Sequence, residues 1–192
     1  MLITHFRLHT TFKSAQLNNV RNLWTYVARA FNLVDSARLQ QVGPDRLCAE
    51  WVLKNSGAVA FTIAPGQYLR DYNALPPENI RLQVKEIDAT DATIMKVGFD
   101  HLKGCKKVDK IILHRCKHLE DSGLEGLAYA TEPLRHLEVI NCPNLTDNCL
   151  MALKCLKNLE YLKIANMQFV KNIQNVKSEL SKALPNCKID IS

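Results

Sequence analysis

The stretch V-D-K-I-I-L-H-R-C-K-H-L-E-D-S-G-L-E-G-L, from Val108 to Leu127, reads against L-R-H-L-E-V-I-N-C-P-N-L-T-D-N-C-L-M-A-L, from Leu134 to Leu153, at a step of 26 residues. A third copy, L-E-Y-L-K-I-A-N-M-Q-F-V, runs from Leu159 to Val170 after a step of 25. Ile111, Leu137 and Leu162 align, then Leu113, Val139 and Ile164, then Cys116, Cys142 and Met167. This is L-x-x-L-x-L-x-x-C-x-x-L, the leucine-rich-repeat pattern with Cys at its small-residue position. A fainter copy lies upstream. A step of 26 back from Leu113 and Cys116 reaches Ile87 and Thr90, which puts Thr90 in the Cys slot of a first turn.

The physics follows from the period. Each turn is a short strand, a loop and a helix, and none can bury its apolar face alone. Stacking is expected to align Ile87, Leu113, Val139 and Ile164 in one buried ladder. Asp121 and Asp147 precede Leu124 and Leu150 by three residues and read as helix-start carboxylates. Side chains between the ladder positions point the other way. They predict two exposed columns: Glu86, Ile112, Glu138 and Lys163, then Asp88, His114, Ile140 and Ala165. Glu86, Ile112, His114, Glu138, Ile140 and Lys163 are therefore the expected partner surface, since a concave repeat face binds macromolecules.

The first half has no such period. Trp24, Val27, Ala28, Phe31 and Val34 fall at helical spacing, and Leu47, Cys48, Trp51 and Val52 form a second apolar set. Asp35 can open a helix, Gly43-Pro44 breaks the chain, and Gly57 is expected to stop the Trp51 helix. Ala58–Ile63 reads as a strand, and Lys188–Ile191 as a final one after Pro185. The expected fold class is α/β: a short leucine-rich-repeat solenoid of about four Cys-type repeats, capped by a small helical N-terminal domain. The domains are then 1–23, 24–84 as the cap, and 85–192 as repeats with a C-terminal cap.

Charge and composition narrow the function. The chain has 192 residues, 47% hydrophobic and 23% charged, and a net charge of +6. Residues 1–34 hold Arg7, Lys13, Arg21 and Arg29 but no acid, leaving 21 of the 25 bases against all 19 acids beyond them. An acid-free, Arg-bearing, amphipathic start reads as a mitochondrial transit peptide over 1–23. The near balance elsewhere argues against nucleic acid as a partner. The seven Cys contain no C-x-x-C pair, which disfavours a disulfide framework and a zinc site. No G-x-S-x-G, P-loop or G-x-G-x-x-G occurs, and His101, His114, His118 and His136 lie on different turns, so no enzyme is expected. Leu75-Pro76-Pro77-Glu78 resembles the opening of an F-box, the route to a ubiquitin-ligase adaptor, but the repeats resume too soon after it. Residues 154–192 carry Lys154, Lys157, Lys163, Lys171, Lys177, Lys182 and Lys188 against Glu160, Glu179 and Asp190. That excess predicts a contact with anionic lipid or an acidic protein surface.

Several strings occur in a telling order: Val42-Gly43-Pro44-Asp45-Arg46 before Glu50-Trp51, Gly57-Ala58-Val59, Asp71-Tyr72-Asn73 before Leu75-Pro76, Ile87-Asp88-Ala89-Thr90-Asp91, Gly98-Phe99-Asp100-His101, Leu119-Glu120-Asp121, and Ala183-Leu184-Pro185. In this order, over roughly residues 24–192, the chain resembles the mitochondrial ATP synthase subunit s family, also called coupling factor B. The resemblance implies a non-enzymatic protein, peripheral on the matrix side of the inner membrane, that supports proton-driven coupling and ATP synthesis beside the membrane sector of the synthase. A related subunit-s-like protein serves assembly of the membrane arm of respiratory complex I, so assembly intermediates of that complex are the alternative partner. The family also implies a Mg²⁺ between the N-terminal domain and the first repeat, matched here by Gly57 and Thr90. It implies a C-x-C dithiol where this chain has His114-Arg115-Cys116. His114 with Cys116 is then the candidate redox or soft-metal pair.

Overall fold

The computed structural model describes residue 23 and residues 25–192. Apart from Leu23, the expected transit peptide lies outside the described residues. The chain opens with helix α1 over 25–32, then α2 (Ser36–Val42) and α3 (Pro44–Lys54). Asp35 caps α2 by accepting the Arg38 N–H at 3.0 Å, and Pro44 starts α3, where a missing N–H costs nothing. Six strands follow: β1 (Ala58–Phe61), β2 (Val84–Asp88), β3 (Lys110–His114), β4 (His136–Ile140), β5 (Tyr161–Ala165) and β6 (Lys188–Ile191). They form one sheet in chain order. β1 runs antiparallel to β2, and β2 to β6 are all parallel.

Between the parallel strands the chain returns through tight helices. Lys96–Leu102 and Asp121–Ala130 are 3₁₀ rather than α, a difference from the expected helices. α4 (Asp147–Met151) continues into a 3₁₀ turn over Ala152–Cys155, and α5 (Ile173–Ala183) closes the series. The core lies between sheet and returns. Leu113, Val139 and Ile164 are at most 1% exposed, as are Leu119, Leu124, Leu127, Leu145, Leu150 and Leu153 beneath them.

The register of the first turn corrects the sequence reading. Ile87 pairs with Ile111, not Leu113, and the row continues through Leu137, Leu162 and Ile189. The first step is therefore two residues shorter than 26. Left-handed backbone at Asp91, Arg115, Asn141 and Asn166, with φ of 59°, 55°, 51° and 54°, marks the same corner in each turn. The residue after each corner is Ala92, Cys116, Cys142 and Met167. Ala92, not Thr90, fills the small-residue slot. Because strand side chains alternate with period two, the slip leaves Glu86, Ile87 and Asp88 on their expected faces and moves only the corner residue. The Cys116 thiol donates to the Ala89 carbonyl at 3.2 Å, and Cys142 to that of Leu113 at 3.5 Å, so each thiol satisfies the strand of the turn before.

Two further expectations change. Asp121 and Asp147 do accept backbone N–H groups, but from the next turn. Asp121 takes the Thr146 N–H at 2.7 Å and its hydroxyl at 2.6 Å; Asp147 takes the N–H groups of Lys171 and Asn172 at 2.9 and 2.8 Å. And Ser56, at φ 68°, supplies the left-handed residue after α3. Gly57 is needed for space instead, since a Cβ there would sit 2.6 Å from Val52 Cγ1 and 3.0 Å from the Asp88 carbonyl oxygen.

The N-terminal helices grip the first turn through polar groups. Asn32 is fully buried, with its carboxamide bonded to Asn55, Trp51, Met95 and Thr93. Glu50, 1% exposed, holds Arg38 at 2.5 Å and Arg46 at 3.3 Å, and Arg38 continues to Glu78 at 2.6 Å. Burial alone would raise the Glu50 carboxyl, but the two guanidinium partners outweigh it and hold it below the usual range.

Candidate functional site

The exposed face of the sheet carries three rows of side chains, set by the observed register. The first is Glu86, Lys110, His136, Tyr161 and Lys188; the second is Asp88, Ile112, Glu138, Lys163 and Asp190. His114, Ile140 and Ala165 make the third. The β1 end of this face is closed by a device the sequence reading missed. Ala58 and Ala60 pair with Asp88 and Glu86, so β1 presents only methyl groups there. The neighbouring segment bridges to β1 through Leu69 and Val59. Over the low alanines, the Tyr68 hydroxyl donates to Glu86 at 2.7 Å and Arg70 reaches Asp88 at 2.7 Å. The Gly66 N–H donates to the other Glu86 oxygen at 2.9 Å.

Both acids are thereby removed from the open surface. Burial raises the Asp88 carboxyl, yet the hydroxyl and N–H of Thr90 and the guanidinium of Arg70 together hold it below its ordinary value. Burial, and then the Glu86 carboxylate, push the Tyr68 phenol up, so it stays a donor. From β3 onward the face is open. His136 Nε2 lies 2.7 Å from Glu138 Oε1, and its ring leans on Tyr161 at 4.6 Å between centroids. Ile112 and Ile140 stand half-buried between these groups. Among the described residues, Lys163 and Lys188 make no ion pair. The result is a mixed strip: two isoleucines, an imidazole–phenol stack and two unpaired ammonium groups.

No family model matches the chain. Among curated proteins it is 38% identical over 176 residues to "ATP synthase subunit s, mitochondrial" of Rattus norvegicus, covering 90% of this chain and 88% of that one. The proteins of the same name from Homo sapiens and Bos taurus are 35% and 34% identical over 175 residues, covering 89% of this chain and 87% of each relative. The chain belongs to the ATP synthase subunit s family. In this subunit s family member no described helix is long and apolar enough to cross a membrane. Among the described residues no three His, Cys, Asp or Glu side chains gather as a metal-binding group.

The two expected Mg²⁺ ligands lie on neighbouring segments. Gly57 immediately precedes the Ala58–Asp88 pair of β1 and β2, and Thr90 follows Asp88 by two residues. The donors on offer are a glycine carbonyl, a threonine hydroxyl and one carboxylate. That carboxylate is already committed: Asp88 Oδ1 accepts the Thr90 hydroxyl at 2.6 Å, and Arg70 balances its charge. Hard oxygen donors with little net charge fit a Mg²⁺ that keeps most of its waters.

His114 and Cys116 are parted by the left-handed Arg115. The thiol is buried and turned to the Ala89 carbonyl, and its contact with the Cys142 thiol, then burial, push it well above the ordinary range. His114 is half-exposed, with Nε2 3.1 Å from Arg115, whose guanidinium also grips Asp91 with both arms at 2.7 and 2.6 Å. The C-terminal lysines are partly committed as well. Glu179 binds Lys154 at 2.7 Å and Lys182 at 3.2 Å, and Lys157 donates to the Ala183 carbonyl. Lys171 and Lys177 are exposed and make no ion pair among the described residues.

Proposed function

We propose that this protein is a non-catalytic mitochondrial accessory of the ATP synthase, peripheral on the matrix side of the inner membrane, which docks a partner on its open sheet face. The reading treats the recurrent strand–return units as a leucine-rich-repeat solenoid of about four turns, with residues 24–84 as its N-terminal cap and 85–192 as repeats. The observation that carries it is the asymmetry of the face. Tyr68 and Arg70 seal the acids at one end, while Ile112, Ile140 and Lys163 stay half-exposed from β3 to β5. The names of the rat, human and cattle relatives supply the complex concerned.

Mg²⁺ belongs to the same proposal, with the Gly57 carbonyl and the Thr90 hydroxyl as its protein ligands. Bound there, the ion would supply positive charge that ties the N-terminal cap to the first turn. Lys171 and Lys177 provide an accessory contact with anionic lipid, each contributing about 1 kcal/mol near such a surface and screened by salt.

The test is affinity purification from mitochondria carrying the tagged protein or its Ile140→Asp/Lys163→Glu variant. Wild type should bring down membrane-sector subunits of the synthase, and the variant, altered only at half-exposed positions, should lose them while keeping its melting temperature. Recovery of complex I membrane-arm intermediates in place of the synthase would overturn the assignment.

A further inference from the structure

A second concave feature lies away from the sheet face. A cleft of about 410 Å³ opens between the first turn of α3, the segment 78–83 and the corner at Gly104. Three cations line it, one from each wall: Arg46, Arg81 and Lys106. Two acids line it too, but both are turned to other partners. Asp45 accepts the Val84 N–H at 2.9 Å, and Glu78 holds Arg38 at 2.6 Å. Arg46 is fixed in place by Glu50 and by the Pro76 carbonyl. Arg81 and Lys106 are exposed and make no ion pair among the described residues. Three segments far apart in sequence thus bring cations to one polar hollow; the Asp45 carboxylate acts on Arg81 from the opposite wall, and among the described residues neither Arg81 nor Lys106 is held in an ion pair.

The walls are built for close approach. Gly43 and Gly104 take left-handed backbone, with φ of 78° and 90°. A Cβ at Gly104 would lie 3.1 Å from the Pro44 ring, so a side chain there would crowd the wall. The volume is that of a small-molecule site and exceeds what a lone inorganic ion needs. Guanidinium and ammonium groups on flexible stems suit phosphate oxygens, Arg with two parallel N–H donors and Lys as a point charge.

We propose that this cleft binds a phosphate-bearing organic anion, with the phosphate held by Arg81 and Lys106 and oriented by the fixed Arg46. The site is independent of the sheet-face reading, because none of its residues lies on that face. The same phosphate chemistry can come from a soluble phosphate ester or from a phospholipid headgroup.

The experiment uses the whole chain and separates the two sources. Calorimetric titration with inorganic phosphate and with a nucleoside diphosphate forms one arm. Sedimentation with phosphatidylcholine vesicles, with and without phosphatidylglycerol, forms the other. Saturable binding is expected in at least one arm, and each of Arg81→Ala and Lys106→Ala should weaken it by about tenfold, the effect of losing a charge-assisted contact. Lys171→Ala/Lys177→Ala, which removes two cations elsewhere, should leave the calorimetric arm unchanged. Arg81 and Lys106 are exposed, so both variants should melt like wild type. Absence of saturable binding in both arms, or equal binding by the Arg81→Ala/Lys106→Ala double variant, overturns the proposal.

Discussion

The Asn32 carboxamide oxygen accepts the indole N–H of Trp51 at 3.1 Å, and the two residues, 19 apart in sequence, are both buried. The same oxygen takes the Met95 N–H at 3.0 Å, while the amide nitrogen donates to Asn55 at 3.0 Å and to the Thr93 carbonyl at 2.9 Å. One side chain thus ties α1 to α3 and to the Thr93–Met95 segment that follows β2. Gly98 leaves the room for it, since a Cβ there would fall 2.3 Å from the Asn32 oxygen and 2.6 Å from Trp51 Nε1.

Asn32→Leu should therefore destabilise the protein by on the order of 2–4 kcal/mol, because it strands an indole N–H, a backbone N–H and a carbonyl without water. Gly98→Ala should be similarly damaging by steric conflict, although it removes no hydrogen bond. Urea unfolding followed by tryptophan fluorescence checks both. A loss for Asn32→Leu no larger than that of an exposed-surface substitution would mean the network is not holding α1.

His101 gives the protein an acid limit. Its ring stacks on Trp51 at 5.0 Å and is tied to the Gly98 carbonyl at 2.9 Å. Burial lowers its pKa below 6.5; the Gly98 carbonyl and Asp100 oppose that shift, and Lys54 adds to it. The unfolded chain then binds the proton more readily than the folded one. The His101 contribution is fully present above pH 6.5, falls as the pH drops through that value, and levels off below the folded pKa. Denaturant midpoints measured from pH 7.5 downward should show this slope, about one proton at most. His101→Gln should flatten it, whatever its own effect on stability.

The corrected register separates two neighbouring positions. Ala92 is buried in the corner slot that Cys116 and Cys142 occupy in later turns, whereas Thr90 is only half-buried on the other face. Ala92→Leu should overpack the corner at a cost of about 1–3 kcal/mol, and Ala92→Cys should be tolerated. Val139→Ala, at the centre of a ladder with no exposed surface, should cost about 1–3 kcal/mol and Ile140→Ala clearly less. Thermal melts of these variants and of Thr90→Leu decide it: if Thr90→Leu costs as much as Ala92→Leu, the two-residue correction fails.

How far these features were legible follows from how each is encoded. Leu113, Val139 and Ile164 recur at a fixed step with period-two neighbours, so strands, face and parallel order follow from pattern. The first corner has no Cys, and both Thr90 and Ala92 are small, so nothing local fixes a two-residue choice that preserves the alternation. Tyr68 and Arg70 escape pattern altogether, because they act across β1 on residues 18 positions away. The available hint was the pair of alanines at Ala58 and Ala60, too small to cover the acids opposite them. A single Asn in a short helix likewise reads as a surface residue until the return at Thr93–Met95 is seen against it.

The carboxylates of Asp121 and Asp147 act as staples between successive turns, and this gives a prediction with a local signature. Each accepts two hydrogen bonds from the turn that follows it: Asp121 from Thr146, and Asp147 from Lys171 and Asn172. Backbone N–H donation from Lys171 and Asn172 holds the Asp147 carboxyl below 3.8, so its contribution is present above that pH and fades as acid protonates it. Asp147→Ala should cost about 1–2 kcal/mol, the usual effect of deleting a side-chain acceptor for chain N–H groups. The segment that donates those hydrogen bonds should feel the loss first. Hydrogen exchange should then accelerate in α5, whose N-cap Asn172 the Asp147 carboxylate holds, while β2 and β3 keep their protection. Asp121→Ala should instead loosen α4, where Thr146 is the cap. Equal acceleration across the whole sheet in both variants would show that the turns unfold as one unit and that the staples have no separate local role.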